Sequence, residues 1–547
     1  MNRPDIRFPL GLLFSILGLL LMVFGLLSDS SLYQRSLGIN VNFWWGLVLL
    51  VAGGITLLLI RRAKSSSGLA ESPAGSPDRF NASFIWIISL AAALGGLLFG
   101  YDWVVIGGAK PFFERYFGLA DAATKGWANS CALIGCLAGA LASGGLSDRY
   151  GRKRLLLLAA CIFTVTSIGI GTSREFSTFV LWRIFGGVAI GLASNLSPMY
   201  ISEVSPAHMR GKLVSVNQLT IVIGILLAQV VNYLIADRMP ATLTEEAIKN
   251  SWNGQTGWRW MFAATAVPSA VFFVSMFFVP ESPRWLAKNG KPERARTILA
   301  RIGGERYAAQ ALQNIEATLI NETEKVDFRD LLDRRLRRVL ALGVILAVFQ
   351  QWCGINVIFN YAEEIFAAAG YNISDTLLNI AWTGTTNIIF TFVALGVVDR
   401  KGRRFLLLTG AAGLAVIYIL LGVGYSLGIQ GLPMLLTVLA AIGCYAMSLA
   451  PVVWVVIAEI FPNRIRGTAM SVATASLWLA CFILTYSFPI LNARLGPAGT
   501  FWLYAVICIA GYVFVRAKLP ETRGKTLEEI ELELVDHTSQ YVTPSSQ

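Results

Sequence analysis

Long apolar runs separated by short polar segments dominate the pattern of this 547-residue chain. A helix needs about 20 consecutive apolar residues to cross the hydrocarbon core of a bilayer. Two such runs lie at residues 8–28 and 42–60. Twelve more follow at residues 83–106, 127–146, 154–172, 178–200, 213–236, 259–279, 339–361, 377–398, 404–424, 433–457, 468–490 and 500–517. The pattern predicts an all-α polytopic membrane protein with 14 spans.

The distribution of charge predicts which loops face the cytoplasm. Only 14% of the residues are charged, and the formal net charge is +12. A basic balance could indicate a nucleic-acid partner, but Lys and Arg concentrate in alternate loops, as the positive-inside rule expects. Residues 339–398 contain neither Lys nor Arg, whereas residues 283–338 are rich in both. We therefore predict no nucleic-acid partner, cytoplasmic basic loops, and both termini in the cytoplasm.

The N-terminal region allows two interpretations. Arg3 and Arg7 precede an apolar run, as in a signal peptide. That run is long, has no clear small-residue cleavage site, and is followed by a second span that ends in "RRAK". We predict a two-helix membrane hairpin over residues 1–64 rather than a cleaved signal, and a flexible Ser/Gly/Pro-rich cytoplasmic linker over residues 65–82.

The chain contains an internal repeat. "SDRYGRKRLLLL" from Ser147 recurs as "VDRKGRRFLLL" from Val398, and "ISEVSPAHMRGKLVSV" from Ile201 recurs as "IAEIFPNRIRGTAMSV" from Ile457. "PESPRW" from Pro280 has a weaker echo in "PETRGK". These pairs predict two six-helix bundles, at residues 83–282 and 339–518, with a helical cytoplasmic linker at 283–338 and a cytoplasmic tail at 519–547. Duplicated halves that rock about a site at mid-membrane depth are the architecture of a transporter.

The repeated motifs carry acids as well as bases. We expect cytoplasmic ion pairs between helices that hold one conformation closed, because a transporter needs states separated by only a few kcal/mol. The alternative is that these charges only orient the loops. The predicted network comprises Asp148, Arg149, Arg152, Glu203, Arg210, Glu281, Arg284, Asp399, Arg403, Glu459 and Arg466.

One carboxylate, Asp102 in "FGYDWVV", lies inside an apolar run. A charged Asp at the bilayer centre costs about 2.5 to 3.5 kcal/mol even on the gentler scales, so it needs a partner or a function. Arg183 is the only Lys or Arg in the fourth core span and is the predicted partner. An acid that ionises in one conformation and is protonated in the other couples proton movement to transport. A static structural ion pair is the alternative.

Ten motifs resemble the sugar porter family of the major facilitator superfamily, in the family's order across residues 83 to 533. They are "GGLLFGYD", "GGLSDRYGRKR", "WRIFGGVAIGLAS", "SPMYISEVSPAHMRGKL", "GWRWMF", "PESPRWL", "FQQWCGIN", "VDRKGRR", "EIFPNRIRG" and "PETRGKTLEE". The resemblance implies the major facilitator fold of 12 core helices, to which the N-terminal hairpin is added. It also implies a role for Asp102, because proton-coupled members carry aspartate in "GYD" and facilitative glucose carriers carry asparagine.

The resemblance also implies a sugar site. The implied sugar contacts are Gln218, Gln350, Gln351, Asn356, Asn387 and Trp454. Amides both donate to and accept from sugar hydroxyls, and an indole packs on the C–H face of the ring. Such amides could instead only join helices by hydrogen bonds. Ile225, Asn360 and Leu477 depart from the polar residues of bacterial xylose symporters at those positions, so the sequence leaves the sugar open.

We therefore predict a transporter of the inner membrane that moves a monosaccharide, a pentose or a hexose, together with a proton by alternating access. A proton-independent uniporter is the main alternative. A sugar sensor would be expected to carry a longer cytoplasmic tail, and 14-span drug-proton antiporters carry their extra helices between the halves. The sequence shows no catalytic motif, and its seven cysteines lie in apolar runs, so we predict no enzyme activity, cofactor, metal or disulfide. A monomer is expected to suffice for transport.

Overall fold

A computed structural model describes residues 80–240, 244–321, 334–461 and 466–522, together with the isolated positions 22, 47 and 50. The chain divides into two units, Met1–Ala82 and Ser83–Gln547. The predicted hairpin, almost all of the linker at 65–82 and most of the tail therefore lie outside the described residues. In the described part, every regular element is a helix.

The first half begins with five long helices that follow one another through short connections. They are α1 (Ala82–Phe117), α2 (Ala122–Tyr150), α3 (Arg152–Thr172), α4 (Phe176–Val204) and α5 (Ala207–Ile235). A short polar helix, α6 (Glu245–Asn250), precedes the sixth crossing. That crossing is built from a π-helical turn (Asn253–Gly257), α7 (Trp258–Ala263) and α8 (Ala266–Phe278).

Two polar helices, α9 (Pro283–Lys288) and α10 (Pro292–Asn321), occupy the segment predicted to join the halves. The described residues of the second half then form eight helices. They are α11 (Arg334–Trp352), α12 (Ile355–Asn360), α13 (Ala362–Ala368), α14 (Ile373–Lys401), α15 (Arg403–Ser426), α16 (Leu432–Met447) and α17 (Leu449–Ile460), followed by α18 (Arg466–Lys518).

By length and composition, the described residues contain 11 helical segments that could cross a membrane. The last of them, Thr468–Lys518, is 51 residues long. Gly496 interrupts its helical geometry with a φ of 68°. The predicted runs at 468–490 and 500–517 thus lie on the two sides of this break.

Glycine brings the helices of the first half into close contact. A Cβ added to Gly135 of α2 would lie 1.9 Å from the carbonyl oxygen of Ile184, and one added to Gly187 of α4 would lie 1.9 Å from that of Ala132. Backbones that approach this closely leave no room for any side chain, which is how membrane helices gain contact area. Gly187, the second glycine of "WRIFGG", is therefore a packing residue.

Two helices of the second half are broken within predicted spans. Gly354, with a φ of 87°, separates α11 from α12. Ser448, with φ −125° and ψ −85°, separates α16 from α17. The runs at 339–361 and 433–457 are each a pair of helices and not one. Transporters commonly place such discontinuous helices at their binding site, because the break frees backbone groups for the ligand.

The weak "PES/PET" echo has the same structural role in both halves. Glu281 accepts hydrogen bonds from the backbone N–H groups of Arg152 and Lys153 at 3.0 and 3.1 Å. Glu521 accepts from those of Arg403 and Arg404 at 2.9 and 3.1 Å. Each carboxylate therefore satisfies the free donors at the start of a helix, α3 or α15, where the helix dipole also favours an anion.

Candidate transport site

Asp102 and Arg183 meet inside the first bundle. Asp102 lies on α1 and Arg183 on α4, and each residue is 3% exposed. Arg183 Nη1 donates to Asp102 Oδ2 at 3.4 Å. The guanidinium also lies 5.4 Å from the ring centroid of Phe262. Arg183 Nε is buried without a hydrogen-bond partner, so one long contact holds the carboxylate, and not a bidentate pair.

A small cavity adjoins this ion pair. Its wall includes Asn129 of α2, Cys136 of α2 and Asn360 of α12, besides the pair itself. The side-chain oxygens of both asparagines are buried and unpaired. Because Asn360 belongs to the second half, the cavity lies between the halves. Unpaired amide oxygens beside an ionisable carboxyl provide a polar site that favours water and a proton.

Three of the predicted sugar-binding amides form a connected chain. Gln350 Nε2 donates to the carbonyls of Leu449 and Ala450, at 3.3 Å each. Gln351 Nε2 donates to Gln350 Oε1 at 3.4 Å, and Asn356 Nδ2 donates to Gln351 Oε1. The chain therefore joins the break between α11 and α12 to the break between α16 and α17.

The other three predicted contacts stand apart from this chain. Gln218 is half-buried on α5, Asn387 is 6% exposed on α14, and Trp454 is 36% exposed on α17. No hydrogen bond links any of these described side chains to the three amides. Their contact with a sugar stays a prediction.

Arg152 is the centre of a charged cluster at the basic end of the first half. Its guanidinium contacts Glu203 of α4 at 3.1 Å and Asp148 of α2 at 3.2 Å. Lys288 of α9 reaches the second oxygen of Asp148 at 2.8 Å. Four helices thus meet through these side chains, at the place where the sequence predicted an ion-pair network.

Two arginines of the predicted network make other contacts. Arg210 Nε donates to the backbone carbonyl of Ser202 at 3.1 Å rather than pairing with the Asp148 loop. The reason is that α4 ends at Val204 and α5 begins at Ala207, so the chain turns between Glu203 and Arg210. Arg149 lies over the ring of Tyr150, 5.3 Å from its centroid.

The second half repeats part of this cluster. Arg403 Nη2 lies 3.4 Å from Glu459 Oε1. This pair corresponds in the repeat to Arg152 and Glu203. The side chains of Asp399 and Arg466 lie outside the described part of the structure. Arg284 lies in the first turn of α9, three residues after Glu281 in the sequence.

Sequence reasoning missed a second buried charge cluster. Lys110 of α1 contacts Glu114 of the same helix and Glu363 and Glu364 of α13. The predicted first span ended at residue 106, whereas α1 continues to Phe117. The four-residue spacing of Lys110 and Glu114 was the available signal.

An aromatic contact across the halves was missed as well. Trp103 of α1 and Trp478 of α18 have ring centroids 5.7 Å apart, and Phe99 lies 5.9 Å from Trp478. Trp478 directly follows Leu477, the position at which the resemblance to bacterial xylose symporters implied an amide. At this position the two halves therefore meet through aromatic rings and not through a polar side chain that could bind a sugar.

A model of the "sugar (and other) transporter" family matches residues 88–534. The chain belongs to this family. The predicted family is confirmed, and with it the prediction that the chain is a transporter and not an enzyme. The match covers both bundles, so the fold follows from the family as well as from the helices.

Curated relatives are similar over most of their own length. The chain is 38% identical to the D-xylose-proton symporter of Escherichia coli (strain K12), over 83% of this chain and 96% of the relative. It is 38% identical to the arabinose-proton symporter of Bacillus subtilis (strain 168), over 82% and 94%. It is 37% identical to the glucose transport protein of Synechocystis sp., over 84% and 100%.

Solved structures of the E. coli xylose transporter have the same fold. The inward-open conformation superposes with a TM-score of 0.72 at 37% identity, covering 82% of this chain and 99% of that one. The symporter bound to 6-bromo-6-deoxy-D-glucose gives 0.69 at 38% identity, covering 83% and 100%. This chain is thus a multi-pass membrane protein of the major facilitator fold.

Proposed function

We propose that this protein is a proton-coupled monosaccharide symporter that works by alternating access. The observation that carries the proposal is the position of α12. Its Asn356 belongs to the amide chain, and its Asn360, one turn later, lines the cavity beside Asp102. One short helix therefore contacts both the candidate sugar site and the candidate proton site.

The amide chain is the proposed core of the sugar site. Gln350, Gln351 and Asn356 are buried, yet they bond mainly to one another and to backbone at helix breaks. Such bonds can exchange for sugar hydroxyls, since each amide both donates and accepts. Gln218, Asn387 and Trp454 are proposed to complete the site from α5, α14 and α17. The substrate class is a pentose or a hexose, in line with the xylose, arabinose and glucose that name the relatives.

Asp102 and Arg183 are the proposed proton-coupling pair. While the pair is closed, the guanidinium stabilises the ionised carboxylate. When the halves rock and the pair separates, a buried charge without a partner is costly, so the carboxyl takes up a proton. The single 3.4 Å contact is easier to separate than a bidentate pair. A proton thus enters in one conformation and leaves in the other.

The basic clusters are the proposed cytoplasmic gate. Arg152–Glu203 and Arg403–Glu459 join helix ends within each half and hold the inner face in one arrangement. With the basic loops on the cytoplasmic side, both termini are proposed to be cytoplasmic and the protein to reside in the inner membrane. With Thr468–Lys518 counted as two crossings the core has 12 spans, and the N-terminal hairpin over residues 1–64 brings the proposed total to 14.

Proteoliposomes provide the test. A panel of labelled xylose, arabinose, glucose and galactose is offered with an imposed inward proton gradient, with and without a protonophore. The parent is expected to concentrate at least one sugar, and the protonophore is expected to abolish this. Protonophore-insensitive equilibration without accumulation would favour the uniporter.

Asp102→Asn is expected to lose accumulation and to keep counterflow exchange, because exchange needs sugar binding and rocking but no proton. The matched control is Asp121→Asn. Asp121 is an exposed carboxylate that caps α2 through the N–H of Thr124, and asparagine caps equally well. The control should accumulate sugar as the parent does. Accumulation that survives Asp102→Asn would refute the coupling role.

A further inference from the structure

Four charged side chains that the proposed mechanism does not use meet at one end of the bundles. Lys110 and Glu114 lie on α1, and Glu363 and Glu364 lie on α13. They are at the end of α1 away from its first residue, Ala82, and thus opposite the basic repeats. Lys110 is 1% exposed, so this lysine cannot be a solvated surface charge.

Three carboxylates surround Lys110. Its Nζ lies 3.4 Å from Glu114 Oε1 and 3.6 Å from Glu363 Oε2, and it donates to Glu364 Oε1. The ring of Tyr361 lies 5.2 Å below the ammonium. A buried ammonium is tolerated only with such partners. Because α1 belongs to the first half and α13 to the second, the lysine joins the two halves.

The backbones are in contact at the same place. A Cβ added to Gly107, one turn before Lys110, would lie 2.4 Å from the carbonyl oxygen of Phe359. Gly107 and Lys110 lie on one face of α1, because residues three apart are neighbours on a helix. The halves are therefore closed against each other here, by a backbone contact and by the ion cluster together.

We propose that Lys110 is the latch of the outer gate. This inference rests on the proposed function, since alternating access requires this end to open when the inner end closes. Lys110 neutralises the repulsion between Glu114 on one half and the paired acids of α13 on the other. Without the lysine, like charges face each other across the closed interface, and the outward-open state gains population.

Lys125 does not replace Lys110. Its Nζ lies 3.9 Å from Glu114, its side chain is 36% exposed, and both residues belong to the first half. Arg115, the neighbour of Glu114, donates through Nη2 to Glu245 Oε1 at 3.0 Å, again within the first half. That hydrogen bond holds the pKa of Glu245 below its ordinary value. Lys110 is thus a buried cation whose ion pairs cross from the first half to the second.

A native cysteine offers the measurement. Cys481 Sγ lies 3.6 Å from Asn356 Nδ2, and the residue is fully buried. The other six cysteines are replaced, and labelling of Cys481 by a membrane-impermeant thiol reagent is followed in sealed right-side-out vesicles. Lys110→Gln is expected to accelerate labelling at least about fivefold, through the shift of population. Lys125→Gln, the matched control, removes a partly exposed cation that contacts only the first half at the same end, and is expected to leave the rate within about twofold.

Two further variants separate the latch from a general loss of structure. Glu363→Gln combined with Glu364→Gln keeps Lys110 paired with Glu114 but removes the link between halves, and should also accelerate labelling. Lys110→Glu combined with Glu364→Lys exchanges the charges and should return the rate toward that of the parent. Parent-like labelling in Lys110→Gln, or no rescue by the exchange, would overturn the proposal. The readout needs neither sugar flux nor a proton gradient, so a failure of the latch and a failure of the symport proposal give different results.

Discussion

Gly354 makes the helix break at the candidate sugar site possible, and its replacement is a sharp test of that geometry. The residue has a φ of 87° between α11 and α12, three residues after Gln351 and two before Asn356. A Cβ at this position would lie 2.7 Å from Cγ of Tyr504, whose own exposure is 1%. Gly354→Ala therefore meets two separate costs, one from the backbone and one from packing.

The two costs can be estimated separately. A non-glycine residue in the left-handed region loses about 1 to 2 kcal/mol. An extra methyl group forced into a filled core costs about 1 to 3 kcal/mol more. Gly428→Ala isolates the first cost, because Gly428 has a φ of 66° and an added Cβ would meet no atom within 4 Å. We expect Gly354→Ala to destabilise the protein by about 2 to 5 kcal/mol and Gly428→Ala by about 1 to 2 kcal/mol.

Reversible unfolding in mixed detergent micelles, followed by tryptophan fluorescence, measures the difference. Uptake by the variants that remain folded adds a functional readout. Displacement of Gln351 and Asn356 should raise KM in Gly354→Ala, whereas Gly428→Ala should leave KM unchanged. Equal destabilisation of the two variants would refute the packing argument. An unchanged KM in Gly354→Ala would show that the helix break does not position the sugar-binding residues.

Two further predictions concern helix contacts. Gly187→Ala should yield no monodisperse protein on size-exclusion chromatography, because its Cβ would lie 1.9 Å from the carbonyl oxygen of Ala132; Gly144→Ala, where no atom lies within 4 Å, should elute as the parent does. Arg152→Gln leaves the buried carboxylate of Glu203 without its cation and should cost about 3 to 5 kcal/mol of stability. Lys288→Gln removes a cation that is 44% exposed and should cost less than about 1 kcal/mol. Similar melting temperatures for these two charge variants would contradict the assignment of Arg152 as the centre of the cluster.

The helical, multi-pass character of the chain was predictable because the bilayer constrains it strongly. Every crossing must be apolar and helical, so hydropathy alone reports it. The ion pair of Asp102 and Arg183 was predictable for a related reason, since few charges lie inside the spans and each needs a partner. Arg152 and Glu203 followed from the repeat, because acids and bases recur together in it.

Contacts between the halves could not be predicted in this way. Lys110 and Glu364 are separated by 254 positions, and no periodicity reports a pair across two bundles. The break at Ser448 was hidden for a different reason, since the residues on both sides are equally apolar. Trp454 shows what a family resemblance cannot predict. Its motif matched the family, but the match did not predict how exposed its side chain is. Hydropathy places helices, but tertiary packing decides which faces meet.

The positions that the sequence did not connect lie along one stretch of chain. From the break at Gly354, α12 carries Asn356 at the amide chain and Asn360 at the Asp102 cavity, and α13 then carries Glu364 at Lys110. Asn356 and Asn360 are four residues apart, about 6 Å along a helix. A tilt of this stretch about Gly354 would change the sugar contacts, the surroundings of the carboxyl and the ion cluster at the outer end together. Symport requires that neither sugar nor proton alone completes the cycle. One continuous stretch of two short helices that contacts both sites and the outer cluster meets this requirement without a longer pathway of coupled residues.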